Sequence, residues 1–234
     1  MEISFANLLV IAHVSFGALA LCAGTVALTV RKGSALHVNV GRIFACAMIS
    51  SSALGALLGV LRLEQFYITF HAGILGVTLI ASGWLSARNT TSERTVTEHI
   101  VSVLNLINTI CLIGLGVYAL GLADGIFLGF AGEDYLFLAF LAGLAACFDI
   151  SLWFRNTISN HHRIARHLWR MCLGFFIAAG SAFTGPGGKA FPQAVQQSGL
   201  LSLPELLIFL AMVFWLIRVI FTDYAKISTV ADSS

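Results

Sequence analysis

The chain has 234 residues, 58% of them hydrophobic and 10% charged, with a mean hydropathy of +0.91, whereas soluble domains carry roughly 25% charged residues. This excludes an ordinary soluble enzyme and marks an integral membrane protein whose first partner is the lipid bilayer. The net charge of +2 is too small to argue for a nucleic-acid partner, and no phosphate loop, nucleophile triad or Rossmann glycine run is present.

A spanning helix needs about 20 apolar residues, and seven stretches qualify: 5–30, 43–62, 66–86, 100–122, 135–155, 168–184 and 205–222. They are too long and too continuously apolar for the alternating strands of a membrane barrel. The expected fold is therefore all-α, a single membrane domain over 1–234 with seven transmembrane helices. Residues 1–122 read as a four-helix cofactor core, and 123–234 as three additional helices with a short polar tail, Ser228 to Ser234. Glu2 stands where a signal peptide has its basic region, and the first apolar stretch is too long for one, so the first span is expected to be retained.

Orientation follows from the basic residues. Eleven of the thirteen (Arg31, Lys32, Arg42, Arg88, Arg94, Arg155, Arg163, Arg166, Arg170, Arg218 and Lys226) lie in or beside the connections after spans 1, 3, 5 and 7, and only Arg62 and Lys189 lie on the other side. The positive-inside rule then puts the N-terminus outside and the C-terminus in the cytoplasm. Trp84, Trp153, Trp169 and Trp215 fall toward the inner interface and Tyr67, Tyr118 and Tyr135 toward the outer one, as belt residues do. The localisation expected is a bacterial cytoplasmic membrane. Cys22, Cys46, Cys111, Cys147 and Cys172 all fall inside spans without paired spacing, which reads as small buried side chains.

A weak repeat organises the first half. His13-Val-Ser-Phe-Gly17 through Gly24 to Arg31 aligns with His71-Ala-Gly-Ile-Leu-Gly76 through Gly83 to Arg88, so spans 1–2 and 3–4 read as two parallel copies. The axis relating them would set span 1 opposite span 3 and span 2 opposite span 4. His13 and His71 would then share a depth some 8–12 Å below the outer surface at roughly 1.5 Å per residue, while His37 and His99 precede spans 2 and 4 at the inner one. An ionisable group at membrane depth points to function, and a neutral imidazole is the commonest metal ligand. Two stacked bis-histidine positions, flanked by Gly17 and Gly76 where the faces of a flat macrocycle would lie, fit one or two haem b groups.

This arrangement resembles the four-helix core of the ascorbate-type transmembrane di-haem cytochromes b over residues 8–120, with Leu36-His37-Val38 before one span and Phe70-His71-Ala72 opening the next. The resemblance implies that His13 and His71 bind one haem and His37 and His99 the other. Unlike that family, the chain has its core at the extreme N-terminus and no clear ascorbate-binding stretch. The whole chain is also similar to a group of bacterial multi-pass membrane proteins to which no activity attaches.

Among the remaining histidines, His161 and His162 read as a solvated loop. His167 stands before span 6 as His37 and His99 stand before spans 2 and 4, and is the substitute inner ligand. Asp149, Asn105 and Asn108 are polar groups expected to point into the bundle; Asp149 could pair with Arg170 or a loop histidine, or line a proton or quinol path. Three functions compete: a b-type cytochrome passing electrons between an unknown donor and acceptor, as a transmembrane oxidoreductase with quinol as one candidate partner; a seven-span zinc hydrolase or receptor; and a transporter or assembly factor. Against zinc, His13 and His71 supply two ligands where a catalytic site wants three plus water. A homo-oligomer is compatible with all three.

The charge asymmetry generates the first prediction. An alkaline phosphatase fused to the C-terminus is expected to stay inactive because it remains in the cytoplasm, and periplasmic activity of that fusion would reverse the topology.

Overall fold

The computed structural model describes residues 5–89, 94–155 and 157–222; Glu2, Lys226 and the tail from Ser228 lie outside them. In chain order the elements are α1 (Phe5–Thr29), α2 (Ala35–Leu61), α3 (Leu63–Arg88), α4 (Val96–Leu120), a hairpin of β1 (Ile126–Phe127) and β2 (Phe130–Ala131), α5 (Gly132–Trp153), α6 (Asn160–Ala179), a π-helical turn (Gly180–Thr184), a short 3-10 turn (Pro186–Ala190), α7 (Gln193–Gln197), a second 3-10 turn (Leu200–Ser202) and α8 (Leu203–Phe221). Seven helical stretches are long and apolar enough to cross a membrane. The fold is the expected all-α polytopic one.

Two helices begin well before the apolar runs that announce them. α2 starts at Ala35 and α6 at Asn160, against expected starts at 43 and 168. Serine caps explain both. Ser34 Oγ accepts from the His37 amide at 3.2 Å and Ser159 Oγ from the His162 amide at 3.4 Å, satisfying amide donors that a helix start otherwise leaves orphaned. The polar first turns of both helices are thereby helical, and they carry His37 and His167 on regular backbone. α4 starts with a capping box, Thr95 Oγ1 accepting from the Glu98 amide at 3.3 Å while Glu98 Oε2 accepts from the Thr95 amide at 2.9 Å.

The packing corrects the expected core. α2 lies along α1 and α3, but α4 packs on α3 and α5, while α6 packs on α3, α1 and α8. The four-helix ring is therefore α1, α2, α3 and α6, in place of the first four helices. Small residues bring α4 to α5: a Cβ on Gly116 would stand 2.7 Å from the Leu136 side chain, and one on Gly132 2.6 Å from that of Leu120.

The α2–α3 seam is closed by the same device. A Cβ on Gly59 would stand 2.6 Å from the Phe70 backbone nitrogen, one on Gly73 2.7 Å from the Ala56 nitrogen, and one on Gly76 would collide with Ser52 Oγ. Gly76 is thus a seam glycine that allows close helix approach. Gly17, whose Cβ would stand 3.4 Å from Ser51 Oγ, likewise packs against α2.

Replacing Gly73 by Leu forces two backbones apart, a kind of overpacking that costs about 1–3 kcal/mol. Thermal denaturation in detergent is expected to show a clear fall in Tm for Gly73→Leu. Gly114→Leu, where a Cβ meets nothing within 4 Å, is expected to leave it unchanged or raised.

Candidate cofactor-binding site

Four histidines share one chemical feature. The ring Nδ1 of His13 lies 2.8 Å from the Ser51 carbonyl oxygen, that of His37 3.1 Å from the Ala27 carbonyl, that of His71 2.7 Å from Asn108 Oδ1, and that of His167 3.0 Å from the Gly83 carbonyl. A carbonyl oxygen only accepts, so in each neutral ring Nδ1 carries the proton and Nε2 keeps its lone pair. This is the state in which an imidazole binds a metal, its other nitrogen held by a partner that fixes the ring plane.

Two of these rings share a cavity. His37, near the start of α2, and His167, on α6, both line a cavity of about 600 Å³ that is walled by α1, α2, α3, α6 and α8 at the basic end of the bundle. Its size lies within the roughly 300–1,000 Å³ of ligand and cofactor sites. The walls are apolar and broad, with Leu28, Phe44, Leu168, Met171, Phe175 and Trp215 among them, and the mouth carries Lys32, Arg42 and Arg88. Gly41 opens directly into it, since a Cβ there would meet nothing within 4 Å.

Local structure explains why these groups face inward. α1 ends at Thr29, so its last carbonyls lack helical donors. Ala27 gives its oxygen to His37, and Lys32 Nζ donates to the carbonyls of Ala27 at 3.0 Å and Leu28 at 2.6 Å while standing 4.9 Å over the Trp215 ring. Burial holds the Lys32 ammonium below its ordinary pKa, with the Cys172 thiol acting in the opposite sense. On the opposite wall Gly83 lets α6 come close, its Cβ position lying 3.2 Å from Arg170 Cβ, and the Gly83 peptide oxygen receives His167.

His37, expected beside His99, shares its cavity with His167, the substitute named from the sequence. His99 is exposed on the first turn of α4 and is not among the residues lining the cavity. The reason is the exchange of α4 for α6 in the ring. His13 and His71 are held by different neighbours, His13 by Ser51 of α2 and His71 by Asn108 of α4. His71 is 4% exposed, with the Tyr67 and Phe70 rings 5.4 and 5.0 Å away edge-on, and its Nε2 has no hydrogen-bond partner. His162 is engaged at both nitrogens, by Ser159 Oγ at 2.7 Å and Arg155 Nη1 at 3.2 Å. Among the described residues no group of three or more His, Cys, Asp and Glu could hold a metal ion, so the zinc alternative finds no ligand set there.

A second polar feature stands behind His167. Asp149 of α5 takes Arg166 Nη2 at 2.8 Å and Arg170 Nη2 at 2.6 Å on one carboxylate oxygen, and Glu98 of α4 takes Arg166 Nη1 at 3.3 Å. Arg166 also donates to Ser86 Oγ at 3.0 Å, and Arg170 to Ser82 Oγ and to the Ala145 carbonyl at 3.2 Å. Arg170, Asp149 and Glu98 are 1%, 1% and 2% exposed. The expected pairing of Asp149 with Arg170 is present, and Asn105 and Asn108 are buried, bonded to the Ala142 carbonyl and to His71. The arginines at positions 163, 166 and 170 repeat at helical spacing; had span 6 been started at its serine cap, they would have read as a buried charged stripe.

Comparison with protein-family models, with curated proteins and with solved structures finds no match to this chain.

Proposed function

We propose that this integral membrane protein is a b-type cytochrome that holds one haem between His37 and His167 and passes single electrons at the basic end of the bundle. One observation carries the reading: two imidazoles on facing walls of one cavity, each with Nδ1–H given to a peptide oxygen and Nε2 left to ligate. The cavity fits the group in the rest of its chemistry. Gly41 leaves room beside His37 for a flat macrocycle, the apolar rings and aliphatic chains exclude water, and Arg42 and Arg88 at the mouth match the two carboxylates of haem b as charge-assisted donors do. Bound haem would supply a one-electron couple. The chain's own contribution is to orient both imidazoles, to keep the ring dry and to neutralise its carboxylates.

The positive-inside rule puts this site at the cytoplasmic face, so the electron acceptor or donor there is a cytoplasmic or membrane-soluble carrier such as a quinol. The likeness to the ascorbate-type cytochromes b supports the reading through ligand type. The pairing differs from theirs in drawing its second ligand from α6.

The test is haem content and the reduced-minus-oxidised absorption spectrum of protein purified in detergent. The parent is expected to bind one haem per chain with the split bands of a bis-imidazole site. His37→Ala and His167→Ala are each expected to lower occupancy at least about tenfold, since even partners of ligands cost 10–100-fold in affinity. Gly41→Phe, which fills open space, should do the same while the fold persists, and His99→Ala should keep the haem. Parent-like haem in both His37→Ala and His167→Ala would overturn the assignment.

A further inference from the structure

α6 is two-faced. Ile164, His167, Leu168, Met171 and Phe175 look into the cavity, while Arg166 and Arg170 reach away from it to Asp149 of α5 and Glu98 of α4. The two faces meet in one turn of α3. The Gly83 carbonyl accepts from His167, and its neighbour Ser82 accepts from Arg170, whose other nitrogen reaches Asp149. The route from ligand to buried carboxylate thus runs His167, Gly83, Ser82, Arg170, Asp149 without a gap. Asp149, Arg166 and Arg170 are buried, at 1%, 8% and 1% exposure, which keeps their charges in a medium of low dielectric.

We propose that Asp149 sets the reduction potential of the haem held by His37 and His167, acting as a positioning and electrostatic residue behind the ligand. The inference rests on the cytochrome reading above. Arg166 and Arg170 are matched by Asp149 and Glu98, and Arg94, which donates to the Asp149 carbonyl at 3.4 Å, adds a further positive charge beside the same two carboxylates. Deleting the Asp149 charge leaves the guanidinium pair in excess, separated from the haem by about the 10 Å width of a helix. Positive charge at that distance in a medium of effective dielectric about 20 favours the reduced form about tenfold, which for a one-electron couple is about 59 mV upward. Arg166→Gln made together with Asp149→Asn removes one charge of each sign and cancels the excess.

The experiment is a spectroelectrochemical titration of purified holoprotein, with haem content measured on the same samples. Asp149→Asn is expected to keep parent haem content and raise the midpoint by about the tenfold equivalent. Glu98→Gln, whose charge bears on the same arginine, is expected to raise it as well, and Asp149→Asn with Arg166→Gln to return it toward the parent. A purely structural role would lower haem content or Tm and leave the potential of the remaining haem where it was. Unchanged midpoints in Asp149→Asn and Glu98→Gln with haem retained overturn this proposal and leave the cytochrome reading standing. If Asp149→Asn does not fold, Glu98→Gln and the double variant decide alone. A parent protein without haem overturns both.

Discussion

The arrangement depends on two guanidinium groups that cannot be solvated where they are. Arg166 and Arg170 are buried in a chain built to sit in lipid, and an unpaired charge at such a place is too costly to keep. Each is met by a carboxylate and a serine, from α5, α4 and α3. Removing one partner of such a buried pair typically costs 3–5 kcal/mol, even though replacing the whole set by apolar residues can be neutral. The network's structural effect is therefore placement more than net stability. It holds the charged face of α6 against α3, α4 and α5, and His167, at the edge of that face, borders the cavity that His37 of α2 also lines.

α3 is the common wall of both seams. Toward α2 it offers Gly73 and Gly76, where the helices approach until no Cβ fits; toward α6 it offers Ser82, Gly83 and Ser86, which take Arg170, His167 and Arg166. The first contact is held by packing and the second by charge-assisted hydrogen bonds. His37 and His167 sit on helices fixed independently to one rigid element, which is how a ligand pair is held in advance of its cofactor.

Much of this was legible in the chain. Seven apolar runs, the side of the membrane on which the basic residues gather and the inward turn of Asp149, Asn105 and Asn108 all follow from hydropathy and from the cost of polar groups in hydrocarbon. What hydropathy misreads is the start of a helix whose first turns are polar. With span 6 begun at 168, His167 looked like a loop residue beside three arginines, and His99 looked equivalent to it. Ser34 and Ser159 were the available signals, because a serine ahead of a histidine three residues on is a cap whether or not the intervening residues are apolar. The exchange of α4 for α6 in the ring had no comparable signal. It turns on Arg166 and Arg170 finding Glu98 and Asp149; the Asp149–Arg170 pair was legible, and the Arg166–Glu98 pairing across 68 residues of chain is not visible in local pattern.

The repeat that relates His13 to His71 has a different fate at the two ends of the bundle. At the basic end, α1 stops at Thr29 and its free carbonyls, together with Gly33 and Gly41, leave space between α2 and α6. Toward the other end, α2 and α3 are drawn together by Gly55, Gly59 and Gly73, and the His13 ring of α1 stands 3.1 Å from where a Cβ of Gly55 would lie. His71 turns to Asn108, which both accepts from its ring and donates to its carbonyl at 3.1 Å. All four imidazoles tie one helix to another through Nδ1, and how closely the glycines let the helices approach decides what surrounds the second nitrogen: at the basic end the walls stand apart as a cavity that His37 and His167 line, and at the other end His71 is packed between the Tyr67 and Phe70 rings.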